Sequence, residues 1–133
     1  MSVEPLINAP LPIQLHAAAA VAALVLGAAQ LWRPKGGARH RFIGYAWAAL
    51  MLLIAVSGFF IHEIRLIGPF SPIHLLSFVI LLTVPLAVVF ARRGNIAGHR
   101  RSMLSIYWIA LIVAGIFTLL PGRLLGQVLF GQD

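Results

Sequence analysis

Four stretches without a single Asp, Glu, Lys or Arg, residues 11–32, 42–61, 74–91 and 103–120, constrain this chain more than anything else in it. Each is close to the ~20 residues that a helix needs to cross ~30 Å of hydrocarbon. In that medium an unpaired backbone amide or carbonyl costs several kcal/mol, so only helices or a closed barrel can span it. The alternation of apolar and polar residues that marks a membrane barrel is absent. The expected fold is all-α: an integral membrane four-helix bundle in a single domain, residues 1–133, with 121–133 as an interfacial tail. Composition agrees, because 61% hydrophobic and 10% charged residues leave too little polar surface for a water-exposed domain.

Ten Lys and Arg against three Asp and Glu give a formal charge of +7. In a soluble chain that balance would suggest a nucleic-acid partner. Here the basic residues gather in two connections, Arg33, Lys35, Arg39 and Arg41 in the first and Arg92, Arg93, Arg100 and Arg101 in the third, leaving Arg65 and Arg123 on the other side. Membrane topology accounts for that pattern without nucleic acid. The positive-inside rule puts both connections in the cytoplasm and both termini outside, in a bacterial inner membrane. Residues 1–10 lack a basic n-region and a small-residue cleavage site, so no removable signal peptide is expected. Pro34, Gly36 and Gly37, and Gly94 with Asn95, supply turns. Connections this short make consecutive helices antiparallel neighbours. Trp32, Tyr45, Trp47, Tyr107 and Trp108 collect toward the cytoplasmic ends, where amphipathic rings anchor at headgroup level.

The first half of the chain is echoed by the second. His16 and His74 each open an apolar run after a proline-containing segment, and His40 and His99 each stand beside arginines at the start of the next run. Two parallel-repeated hairpins related by a pseudo-twofold axis would bring equivalent histidines together, His16 with His74 outside and His40 with His99 inside. On the first helix His16, Ala20, Ala23, Gly27 and Gln30 share a stripe, and on the second His40, Gly44, Trp47, Met51 and Gly58 do. On the fourth the same spacing gives Met103, Ile106, Ala110, Val113 and Phe117. Small residues allow close helix approach, so the stripe of the first helix should face the bundle.

Two levels of paired imidazole suit b-type haem, whose iron takes both axial ligands from histidine. Small residues such as Ala20, Ala23, Gly27 and Gly58 would make room for a macrocycle, and Arg39, Arg41, Arg100 and Arg101 would pair with the propionates of an inner haem. The absence of cysteine excludes disulfides, thiolate metal sites and covalent c-type attachment. The leading expectation is a membrane haem protein, an oxidoreductase moving electrons between a membrane reductant such as a quinol and an acceptor. No catalytic residue is assigned.

Two other readings stand beside it. His16, His62, His74 and Glu63 together form an imidazole and carboxylate set that zinc or copper accepts at the outer face, for binding or transport. Histidines at helix ends also snorkel or cap without any cofactor, as in a non-enzymatic membrane subunit or scaffold surrounded by lipid. The four runs hold no Asp, Glu or Lys, which removes the usual mark of an ion pump. Parallel repeats do not match transporters built on inverted repeats, and only a homodimer would supply eight helices.

The residues His16, Arg39-His40-Arg41, Pro72-Ile73-His74, Ala91-Arg92-Arg93-Gly94, His99-Arg100, Met103, and Ala114-Gly115 through Phe117-Thr118 to Pro121-Gly122-Arg123 carry a resemblance. Over about His16 to Gly131 the chain resembles the bacterial membrane proteins grouped as domain of unknown function 2306. That resemblance implies a four-span topology and brings no established activity. The family has a general likeness to four-helix b-type cytochromes, an analogy of fold. In those cytochromes the ligands lie within the spans, whereas His40 and His99 stand at the ends of the apolar runs.

Overall fold

The computed structural model describes residues 2–60, 72–120 and 123–131. Within them the chain is all-helical, without strands. A short α1 (Glu4–Ile7) leads into α2 (Leu11–Trp32), α3 (Gly37–Gly58), α4 (Pro72–Arg92) and α5 (Ile96–Ser105). The last of these runs on through a π-helical segment (Ile106–Val113) into α6 (Ala114–Phe117), and α7 (Leu124–Phe130) follows. Four helices, Leu11–Trp32, Gly37–Gly58, His74–Arg92 and Ile96–Phe117, are long and apolar enough to cross a membrane. His62, Glu63 and Arg65 lie outside the described residues, and with them the part of the outer metal set that rests on His62 and Glu63.

Local chemistry explains the boundaries. α2 carries Pro12 in its first turn, where the missing N–H forfeits no bond. It stops at Trp32 because Arg33, preceding Pro34, is held extended at φ −96° and ψ 158°. Gly36 and Gly37 then turn the chain at φ 79° and 81°, a region costly for any side chain. The third connection turns on Gly94, at φ 79°, and Asn95 caps α5 by accepting from the Gly98 amide at 3.0 Å. Both helices therefore start before their apolar runs do. His40 and His99 sit in the first helical turn of α3 and α5 rather than in the connections.

α2 packs on α3, α3 on α4 and α4 on α5, and the π segment returns against α2 and α4 to close the ring. At the far end α1 packs on α7, and the Ser2 amide donates to the Val128 carbonyl at 2.9 Å. The core holds Ala23, Trp47, Ala48, Met51, Ala55, Ile80, Val84, Ile106, Tyr107 and Leu111. Large apolar side chains such as Val21, Val25, Leu82 and Ile109 face outward, which suits a hydrocarbon surround and would be a liability in water.

The stripe of the fourth span does not stay on one face, and one expectation about anchoring is corrected. On the fourth span Val113 and Phe117 point outward, 47% and 61% exposed, while Ile106, Tyr107 and Leu111 are buried. The cause is the π segment: hydrogen bonds from i to i+5 widen the turn and rotate every later residue away from the α-helical stripe. Trp47 and Tyr107, expected as headgroup anchors, lie in the core at 5% and 8% exposure. Their polar atoms are satisfied there. The Trp47 indole donates to the Ala23 carbonyl at 3.1 Å and the Tyr107 hydroxyl to the Leu24 carbonyl at 3.2 Å.

Candidate histidine site

The end of the bundle carrying the first and third connections, the basic end, brings His40 and His99 together. Their ring centroids are 6.4 Å apart with the planes at 80°. The Nδ1 of His99 lies 2.9 Å from the Ala87 carbonyl. A carbonyl only accepts, so this nitrogen carries the proton, and in the neutral ring the lone pair is left on Nε2. Metal-binding histidines are commonly oriented by this kind of bond. His40 differs, because its Nδ1 is buried and has no hydrogen-bond partner among the described residues. Leaving such an atom unsatisfied carries a desolvation cost, so it calls for an explanation. The His40 carbonyl accepts from the Gln30 side chain at 2.7 Å, which ties α2 to the first turn of α3. Gln30 thus serves as the interhelical hydrogen bond that polar side chains in spans usually make.

The arginines flanking this pair are exposed. Arg41 donates from Nε to the Gly37 carbonyl at 3.3 Å, within its own helix. Arg39 lines a cleft in the first connection together with Arg33, Gln30 and His40 itself. The one acidic residue among the described residues, Glu4, belongs to α1 and so to the opposite end. The basic end therefore carries positive charge that no carboxylate of the described chain neutralises.

At the opposite end His16 and His74 are both fastened to the last turns of α3. The Nδ1 of His16 lies 2.9 Å from the Ile54 carbonyl and 3.0 Å from the Ser57 hydroxyl, while that hydroxyl donates to the same carbonyl at 3.0 Å. His74 is buried at 5% exposure, donates from Nε2 to the Phe59 carbonyl at 3.1 Å and stacks on the Phe59 ring at 5.9 Å. The bonds to Ile54 and Phe59 again require the imidazole nitrogen to be the donor, so in its neutral form His16 keeps its lone pair on Nε2.

Space between the two levels is taken. A Cβ on Gly27 would lie 2.5 Å from Tyr107 Cε2 and 2.9 Å from Trp47 Nε1, so this part of the small-residue stripe receives two aromatic rings rather than leaving room for a macrocycle. Sequence reasoning missed that packing, together with the bond from Arg92 Nε to the Tyr45 hydroxyl at 2.9 Å, which clamps α4 to α3 beside the basic end. The pairing of a tyrosine on one span with an arginine at the end of another was the available signal. Among the described residues no group of three or more His, Cys, Asp or Glu is placed to hold a metal ion.

Residues 13–129 match the family described as predicted membrane protein (DUF2306). No curated protein and no solved structure matches the chain.

Proposed function

We propose that this chain, which belongs to that family of predicted membrane proteins, is a b-type haem protein of the bacterial inner membrane, carrying electrons between a membrane reductant such as a quinol and an acceptor. One observation carries the reading, the meeting of His40 and His99 at 6.4 Å. Two imidazoles bound from opposite sides to one metal, each at ~2.0–2.1 Å, hold their centroids ~6 Å apart. The unpartnered His40 Nδ1 and the carbonyl-oriented His99 are the residues that would hold the haem iron. A bare zinc or copper ion asks for three or four protein ligands, whereas a haem iron brings four nitrogens and asks for two.

Haem, when bound, supplies a one-electron couple. The chain's own part is to orient His99 through Ala87, to hold His40 in the first turn of α3, and to present Arg41, Arg100 and Arg101 to the propionates. With Trp47 and Tyr107 filling the middle, a macrocycle is confined to the ends of the bundle. His16 and His74, fixed by the carbonyls of Ile54 in α3 and of Phe59 just after it, are the corresponding pair at the other end. By the positive-inside rule the basic end faces the cytoplasm and both termini lie outside.

Reduced-minus-oxidised absorbance spectra of protein purified from haem-supplied cells test the reading. An α-band that sharpens on reduction is the expected result. Colourless protein from such cells would overturn it.

A further inference from the structure

The first connection contains a cleft of about 350 Å³, and its lining includes Gln30, Arg33, Gly37, Arg39 and His40. Neither the Arg33 nor the Arg39 guanidinium has a hydrogen bond or an ion pair with any described residue, and no described acid lies at this end. Lys35 is engaged elsewhere, closing the end of α2 through the carbonyls of Gln30, Leu31 and Arg33 at 2.7–2.8 Å. Two guanidinium groups thus border one concavity with their donors unspent. The backbone adds to them. α3 has no side-chain cap, in contrast to α5 with Asn95, so the amides of its first turn face the connection unsatisfied. An open concavity offering many N–H donors and no acceptor acid is built for an anion, and a phosphate group matches guanidinium forks bidentately.

The surroundings set the depth of the cleft. Trp32, next to Arg33, is 86% exposed, and Phe42, three residues after Arg39, is 78% exposed. Exposed aromatic side chains flanking basic residues mark the boundary between hydrocarbon and headgroups. We propose that the α2–α3 connection is a binding site for a phosphate group, held by Arg33 and Arg39 over the uncapped first turn of α3. The group belongs to an anionic phospholipid or to free phosphate, and the two sources share one chemistry. The cleft shares His40 with the haem reading but is held by Arg33 and Arg39 rather than by Arg41, Arg100 and Arg101, so lipid retention and haem colour are lost separately.

Native mass spectrometry of the detergent-purified full chain, after exchange into phosphatidylglycerol and then into lipid-free detergent, tests the lipid source. One phosphatidylglycerol retained per chain is expected. Its apparent affinity should fall about tenfold for each arginine lost in Arg33→Gln and Arg39→Gln. The Arg93→Gln variant removes the same charge as either single substitution from the other connection and should retain the lipid. A second arm titrates inorganic phosphate into lipid-free protein and follows Trp32 fluorescence against a Trp32→Phe control. Saturable binding that Arg33→Gln weakens, without lipid retention, assigns the site to free phosphate. Absence of both signals, or a loss in Arg93→Gln equal to that in Arg33→Gln and Arg39→Gln, would overturn the proposal. Size-exclusion profiles matching the parent chain confirm that each variant is folded, and either single substitution carries the test if the other aggregates.

Discussion

The imidazoles of His40 and His99 meet nearly at right angles, 6.4 Å between centroids, although they belong to different hairpins of the chain. Each occupies the first turn of its helix, after a glycine-bearing turn, so the two turns fix where the rings can go. His99 is aimed by Ala87, and His40 keeps a buried nitrogen without a partner.

If this pair ligates haem, His40→Ala and His99→Ala each remove the contribution of the basic end to the reduced-minus-oxidised spectrum and leave that of the other end. His16→Ala and His74→Ala do the converse. Spectra unchanged by all four substitutions in folded protein would reject histidine ligation at either level.

Gly27→Ala is expected to destabilise the bundle by ~1–3 kcal/mol, the range for overpacking a well-filled core. Its new methyl would press on the Tyr107 and Trp47 rings, both buried and both anchored by hydrogen bonds. Gly115→Ala, with nothing within 4 Å of its added carbon, is the control and should not be destabilising. Unfolding midpoints in one detergent check the difference.

Tyr107→Phe deletes the hydroxyl that reaches Leu24 across 83 residues of sequence and should cost ~0.5–1.5 kcal/mol. Trp47→Phe should cost at least as much, since it also leaves a void. The two substitutions touch the same patch of α2, so the double variant is expected to depart from additivity, which a thermodynamic cycle measures.

Asn95→Ala removes the cap of α5 and should cost ~1 kcal/mol. The Gly98 amide, then without its acceptor, should exchange with solvent faster, while amides in the middle of α3 keep the parent rate. Equal exchange at Gly98 in both proteins would show the cap to be dispensable.

Much of the site was legible along the chain. The repetition of histidine beside arginine picked out His40 and His99 without coordinates, and Gln30 stood out as the polar residue of an apolar run. The fate of Tyr107 was not legible. Its neighbours Ile106, Trp108 and Ile109 are all apolar or amphipathic, so nothing in their order says that Ile106 and Tyr107 turn inward while Trp108 and Ile109 face out. The same holds for Arg39, whose sequence neighbour is a histidine but whose side chain lines the cleft with Arg33.

Four charge-free runs of the right length and the clustering of basic residues are properties of composition and order, and by themselves they determined the helical spans and the two ends of the bundle. Which face of each span looks inward was decided only by tertiary packing. In water an amphipathic stripe announces the core, but beside lipid both faces are apolar and the period loses its meaning. Ring size against the space over Gly27, and the widened turn at Ile106–Val113, then choose the inner face.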